Sequence, residues 1–323
     1  MNIQRWIGRK EVNWQRLDSL LKKLETKGLK SLRAGEIREL ASLYRSVAAD
    51  LARARTQKAG QTLTQSLQSL TTRAYTQIYQ GSRRQEWQAV VDFYLWGFPS
   101  VVQKTFIYIF IATALFLFSA LVAWWYAWQD PGFLTLIVPD QLISQVRDEG
   151  KLWMGSIVGI EPLASTNIMI NNISVSFGAV TGGISAGLYT AYLMVFNGLL
   201  IGAIGTLVGQ NNLAYPFWAF VFPHGALELP AIFFAGGAGF VIAKAILFPG
   251  QYRRWDALKL SGSLAVKLVF GIIPLLVIAG IIEGFFSPNP MVPDEIKYLT
   301  GLSLFILLVM YCRRNPSRKL KGR

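Results

Sequence analysis

Ala214-Tyr-Pro-Phe-Trp-Ala-Phe-Val-Phe-Pro223-His224-Gly225-Ala226-Leu227-Glu228-Leu229-Pro230 is the stretch on which the reading of this chain turns. It holds the chain's one histidine and a glutamate with apolar sequence on either side. Pro223, Gly225 and Pro230 interrupt an otherwise apolar run from Phe217 to Phe248. A proline inside a helix removes a backbone donor and crowds the carbonyl four residues back. A helix break is therefore expected at Pro223-His224-Gly225. Ionisable groups are costly at membrane depth and mark functional sites there. Backbone groups freed by a break survive only under cover of protein or a wet cavity. The other spans are expected to pack around this segment.

The neighbouring sequence supplies those spans. Asn171 to Gly209 runs 39 residues without a charge, about 58 Å as one helix and about twice a bilayer core. Phe217 to Phe248 is about 48 Å, also too long for one simple crossing. Thr105–Trp128, Gly262–Phe285 and Lys297–Cys312 are further apolar spans. The net charge of +14 is unevenly spread. Eighteen Lys and Arg precede residue 105, six lie in the tail 313–323, and Arg253, Arg254 and Lys259 form a basic loop. The loops 130–170 and 286–295 are acidic. Basic segments stay cytoplasmic, so the chain must cross an odd number of times between residues 170 and 250. Asn171–Gly209 is expected to cross twice, bending near Gly182, Gly183 or Gly187, and the proline-broken segment once more. The fold class is an all-α polytopic membrane protein with about six crossings, broken or re-entrant helices, and both termini cytoplasmic.

Residues 1–98 are polar and helix-forming, in contrast to the apolar 99–312. Apolar residues recur at helical spacing: Trp14, Leu17, Leu20, Leu21 and Leu24, then Ile37, Leu40, Leu43, Tyr44, Val47 and Leu51, then Leu63, Leu67, Leu70, Ala74 and Ile78. Gly28 and Gly60 fall at the joints. Stripes this regular read as the core of a small cytoplasmic helical bundle, whose outer face is left for partners. Gln85–Pro99, after Arg83 and Arg84, is rich in aromatics and reads as a helix on the membrane surface. Pro139–Gly150 reads as a short amphipathic helix, and Trp153 and Met154 as residues at the interface. Lys244 and Lys267 are expected to extend to the membrane surface.

Small residues four apart let membrane helices approach closely. They recur as Gly178/Gly182, Gly198/Gly202 and Gly205/Gly209, which argues for a tight bundle and offers a homodimer face. Asn172 and Asn197 are expected to hydrogen-bond across helices or to backbone freed near Pro223. His224 and Glu228 are four apart and share a helix face. A catalytic zinc needs three protein ligands, and a single histidine with no H-E-x-x-H motif argues against one. A proton relay needs a string of such groups. The favoured reading is structural, the pair satisfying the backbone of the broken helix and fixing a bend or a dimer contact. Glu283 is expected at the outer boundary of its span. Nucleophile elbows, phosphate loops and paired carboxylates are absent from the sequence, so no enzyme activity and no cofactor are expected. One cysteine, Cys312, excludes a disulfide within the chain. No basic stretch is interleaved with aromatics as nucleic-acid binding requires.

Asn171-Asn172 opening a glycine-rich span, Asn197-Gly198-x-x-x-Gly202 within it, and Pro223-His224-Gly225-x-x-Glu228 together resemble the stage II sporulation protein M family of bacterial integral membrane proteins, over roughly residues 99–312. Glu36–Arg55 resembles the cytoplasmic extension of longer members from bacteria that do not sporulate. The resemblance implies a plasma-membrane scaffold without catalytic activity that gathers cell-wall-remodelling proteins. The long N-terminal part departs from the founding member. The alternative left by His224 and Glu228 is a transporter or channel subunit.

Overall fold

The computed structural model describes residues 3–28, 31–57, 59–153 and 161–314. Met154 and the tail residues Arg318, Lys319, Lys321 and Arg323 lie outside the described residues, as do the side chains of Arg83, Arg84 and Glu161. The described residues are helical, with no strand among them. They form two compact units, Met1–Asp92 and Phe93–Arg323.

The first unit contains α1 (Ile3–Lys27), α2 (Ala34–Thr56), α3 (Gln61–Tyr75), a π-helical turn (Thr76–Gln80) and α4 (Gly81–Asp92). Its core is the expected set of stripes: Leu17, Leu21, Val47 and Leu67 are almost wholly buried, with Leu40, Leu51 and Leu70 around them. Ile37 departs from its stripe and faces solvent. Gly28 (φ +73°) and Gly60 (φ +103°) make the two joints in a left-handed conformation that favours glycine. Trp14 Nε1 donates to the buried Asp50 carboxylate at 3.1 Å, and Lys10 lies 3.4 Å from the other oxygen. Arg73 on α3 clamps α1 by bonding Asp18 at 2.6 Å and Glu25 at 2.9 Å.

The second unit starts at Phe93, six residues before the boundary read from the sequence. The reason is the packing of Phe93–Phe98. The Phe98 ring, expected at the membrane surface, is 1% exposed. It fills the notch left by the missing side chain of Gly271 and meets Phe234 edge-on at 5.8 Å. Tyr94 donates to the Phe270 carbonyl at 2.9 Å, and Tyr311 donates to the carbonyl of Tyr94.

Then come α5 (Phe98–Lys104), α6 (Phe106–Gln129), a 3-10 turn (Pro131–Leu136), α7 (Asp140–Arg147), α8 (Glu161–Thr181), α9 (Leu188–Gln210), α10 (Ala214–Leu247), α11 (Arg254–Ile281), a π-helical turn (Ile282–Phe286) and α12 (Asp294–Cys312). The basic loop is shorter than expected, since Arg254 and Lys259 belong to α11. Among the described residues, α6, α9, α10, α11 with its π-helical turn, and α12 are long and apolar enough to cross a membrane. These are five, against the six crossings expected; α8 is not among them. Gly198 and Gly202 of α9 face the carbonyls of Phe116 and Ala120, and Thr206 bonds the carbonyl of Trp124. α6 and α9 therefore run parallel, and the chain must return between them. The return is α8, about 31 Å long. The bend falls where the glycines placed it: Gly182–Ser185 is a 3-10 turn, and Ala186 (φ +57°) and Gly187 (φ +85°) reverse the chain. Thr190 Oγ1 donates to the Ala179 carbonyl at 2.7 Å and ties the reversal.

α10 is the most buried span and the axis of the unit, with the other spans around it. At one end, Leu134, Ile143 and Val146 of the 131–147 segment pack on Leu207 and Phe217. The apolar face of α7 is thus covered by protein. Trp153 joins this cap, its ring centroid 5.7 Å from Phe217. The topology gathers Asp130, Asp140, Asp148, Glu149, Asp294 and Glu295 at that end, and Lys104, Lys244, Arg253, Arg254 and Arg313 at the other. Lys244 and Lys267 are exposed.

Glycine contacts hold these helices together. A Cβ on Gly202 would collide with the Ala120 carbonyl, one on Gly198 with that of Phe116, and one on Gly239 with that of Ala179. Gly182 lies against Thr190, Gly178 against Leu193, and Gly205 only grazes the Trp218 ring. Gly209, expected in this set, has nothing within 4 Å of a Cβ and makes no such contact.

Gly202→Leu should cost about 3 kcal/mol or more by overpacking, whereas Gly209→Ala should stay within about 0.5 kcal/mol of wild type. Thermal unfolding in detergent would show this, and equal effects of the two would refute the packing assignment. In the first unit, Lys22 and Arg73 hold the Asp18 carboxyl below its ordinary value. A lowered folded-state value stabilises above the unfolded value, about 3.9, and that stability is lost as pH falls through the folded value. Arg73→Met should cost on the order of 1 kcal/mol at pH 7. The gap to wild type should close as pH drops below about 3.9. Denaturation followed by circular dichroism at pH 7 and at acid pH tests this, and a constant gap would count against it.

Candidate functional site

The expected break at Pro223-His224-Gly225 does not occur. α10 continues through Pro223 and Pro230 as one helix of 34 residues. Each proline deletes one ladder bond, leaving the carbonyls of Ala219 and Ala226 without their helical donors. α8, α11 and α12 pack around this part of α10 and hold its path. Gly225 needs no special conformation, since a Cβ there would make only an ordinary 3.5 Å contact with Val221. The long helix instead presents His224 and Glu228 on successive turns of one face.

Facing them is the π-helical turn Ile282–Phe286, in which the N–H of Ser287 bonds the carbonyl of Ile282 at 2.8 Å. Such turns insert one residue into the helical register and recur at functional sites. Here the turn brings Glu283 and Ser287, also four apart, onto the histidine. His224 Nδ1 lies 3.2 Å from Ser287 Oγ. Its Nε2 lies 3.8 Å from Glu283 Oε1, too far for a hydrogen bond. The ring is 5% exposed and meets Phe220 edge-on at 5.5 Å. Ser287 is 1% exposed.

Glu283, expected at the span boundary, does lie near the end of its helix but turns inward. Its side chain is only 13% exposed. One oxygen of Glu228 and one of Glu283 are buried without a hydrogen-bond partner. Among the described residues, neither carboxylate has a Lys or Arg partner. One ligating atom each from His224, Glu228 and Glu283 lies within 4.8 Å of the others. Chemically, the cluster is an acceptor-rich pocket suited to a proton or a cation. Ser287 Oγ, the hydroxyl in hydrogen-bond reach of the imidazole, is itself buried beside the ring.

The asparagines stand apart from this cluster. Asn197 Nδ2 donates at 2.8 Å to Leu193 O in its own helix. Asn172 Oδ1 accepts from its neighbour Asn171 at 3.4 Å. The bonds these two make are local, and neither reaches the backbone freed at Pro223. Glu283 and Ser287 are site residues that the reading of His224 and Glu228 alone does not select. A signal for Glu283 was present, since it is a carboxylate inside an apolar span, as Glu228 is.

A family model described as stage II sporulation protein M matches residues 112–288, and a second, described only as a domain of unknown function, matches residues 4–80. An uncharacterized protein of Methanocaldococcus jannaschii is 32% identical over 125 residues, which cover 38% of this chain and 70% of that protein. No solved structure matches the chain. The first match covers more than half of the chain, from α6 past the π-helical turn, and includes His224, Glu228, Glu283, Ser287 and the glycine contacts of α9. The chain belongs to the stage II sporulation protein M family of membrane proteins.

Proposed function

We propose that this protein is a non-enzymatic platform in the bacterial plasma membrane that gathers envelope-remodelling proteins, with both termini in the cytoplasm. The observation that carries this reading is the set of backbone contacts at Gly183, Gly198, Gly202, Gly239 and Gly301. A backbone carbonyl is the nearest neighbour where α9 meets α6 and where α8 and the 182–185 turn meet α10, and at Gly301 α12 meets the ring and carbonyl of Phe222. Alternating access requires one group of helices to rock against another around the substrate site. Interfaces locked by backbone carbonyls resist such rocking, because a close-packed contact changes between discrete arrangements and does not slide. A rigid bundle suits a platform. The orientation follows from the charge at the two ends: the end with Lys104, Lys244, Arg253, Arg254 and Arg313 belongs on the cytoplasmic side. The first unit supplies a charged helical surface, and α6 and α12 expose apolar faces to lipid. A second copy of the chain is a further candidate partner.

Co-purification of the full chain from its own host, against a variant lacking residues 1–92, tests the platform reading. Recovery of cell-wall-directed enzymes should fall about tenfold or more in the shortened variant while its membrane unit remains folded. Ion or solute flux in proteoliposomes, with no co-purifying protein, would replace the platform by the transporter reading.

A further inference from the structure

We propose that His224, Glu228 and Glu283 bind a divalent first-row transition-metal ion, with Ser287 orienting the imidazole. The donor set suits such an ion, since imidazole and carboxylate oxygens bind zinc and its neighbours at about 2.0–2.2 Å. Two atoms bound to one ion at those lengths stand roughly 3–4 Å apart. His224 Nε2 and Glu283 Oε1 are 3.8 Å apart, and the three ligating atoms fall within 4.8 Å of one another. The 3.8 Å separation is too long for a hydrogen bond and already fits a shared ion, and a spread of up to 4.8 Å closes around the ion by about 1 Å.

The unpartnered oxygens are the second observation. Glu228 Oε2 and Glu283 Oε2 are both buried with no donor. Leaving an acceptor in this state costs free energy, more so for a charged group. A divalent cation satisfies both, and its charge cancels that of two carboxylates, leaving a neutral cluster beside a neutral imidazole. Histidine ligands are commonly fixed by a hydrogen bond at the other ring nitrogen. Ser287 Oγ stands at Nδ1, and Nε2 is the nitrogen that faces the Glu283 carboxylate. The three ligands come from two elements, so the ion pins α10 to the π-helical turn that follows α11. With three protein ligands, one position is left for water or a partner's group. The sequence around His224 holds one histidine and one neighbouring carboxylate, and Glu283 supplies the third ligand. This assignment is independent of the platform role.

The test uses the full chain in a Cys312→Ser background, purified in detergent, stripped with chelator and reloaded with Zn2+ or Co2+. One ion per chain by elemental analysis, a rise of several degrees in unfolding temperature on reloading, and visible Co2+ bands of a low-coordinate site are expected. Glu228→Gln with Glu283→Gln should abolish the bands. Ser287→Ala, which keeps every ligand, should weaken binding about 10–100-fold. Stripped wild type that takes up no Co2+ and shows no Zn2+-dependent shift would overturn the proposal, leaving carboxyl groups neutralised by protons. So would unchanged affinity in the double-glutamine variant, which would place the ion elsewhere.

Discussion

The contact of α9 with α6 governs the membrane unit. Gly198 and Gly202 sit directly on the carbonyls of Phe116 and Ala120, at a separation no side chain allows. In lipid there is little hydrophobic drive between helices, so close approach of backbones supplies the attraction. The contact is parallel, and parallel neighbours need a return helix between them. α8 supplies it, and the reversal at 182–187 docks against Gly239, Ile242 and Ala243 of α10. The central place of α10 follows, with its two prolines held by helices on several sides.

The polar site depends on that central place. Charged or hydrogen-bonding groups are tolerated at depth where protein surrounds them. α10 gives His224 and Glu228 an apolar surround, and the π-helical turn supplies their counterparts. The cluster lies close to the end of α11, where the chain turns through Ser287 to Asn289 before α12. Its partners are thus the last residues of a span, which have the freedom to adopt a widened turn.

The fold was largely legible because its signals are local. Length and apolarity marked the spans, glycine marked the reversal at 182–187, and the period of leucines marked the first bundle. Charge parity demanded a return of the chain ahead of α9, and α8 makes that return. What failed were inferences about single residues whose outcome depends on neighbours. Pro223 and Pro230 read as breakers because they cost a helix free energy in isolation; packing from α8, α11 and α12 outweighs that cost. Phe98 read as interfacial because an aromatic before a span usually is; nothing in its own neighbourhood announces the notch at Gly271. Gly209 follows the same spacing as Gly205 but lies at a helix end. Half the polar site was visible as His224 and Glu228. The other half is 55 or more residues away, and a π-helical turn leaves no periodicity in sequence.

The grip between Phe93–Lys104 and the far end of the chain bears on how the protein is made. Phe98 fits a notch in α11, Tyr311 bonds the carbonyl of Tyr94, and Gln103 bonds the carbonyls of Cys312 and Arg314. These partners are synthesised roughly 170 to 220 residues after the segment they hold. During vectorial insertion the first membrane helix therefore enters with its own anchor unmade. Contacts of such separation form late, because the intervening chain must be ordered before they are rewarded. The segment that enters the bilayer first is among the last to be fixed, and α12 acts as the clasp that completes assembly.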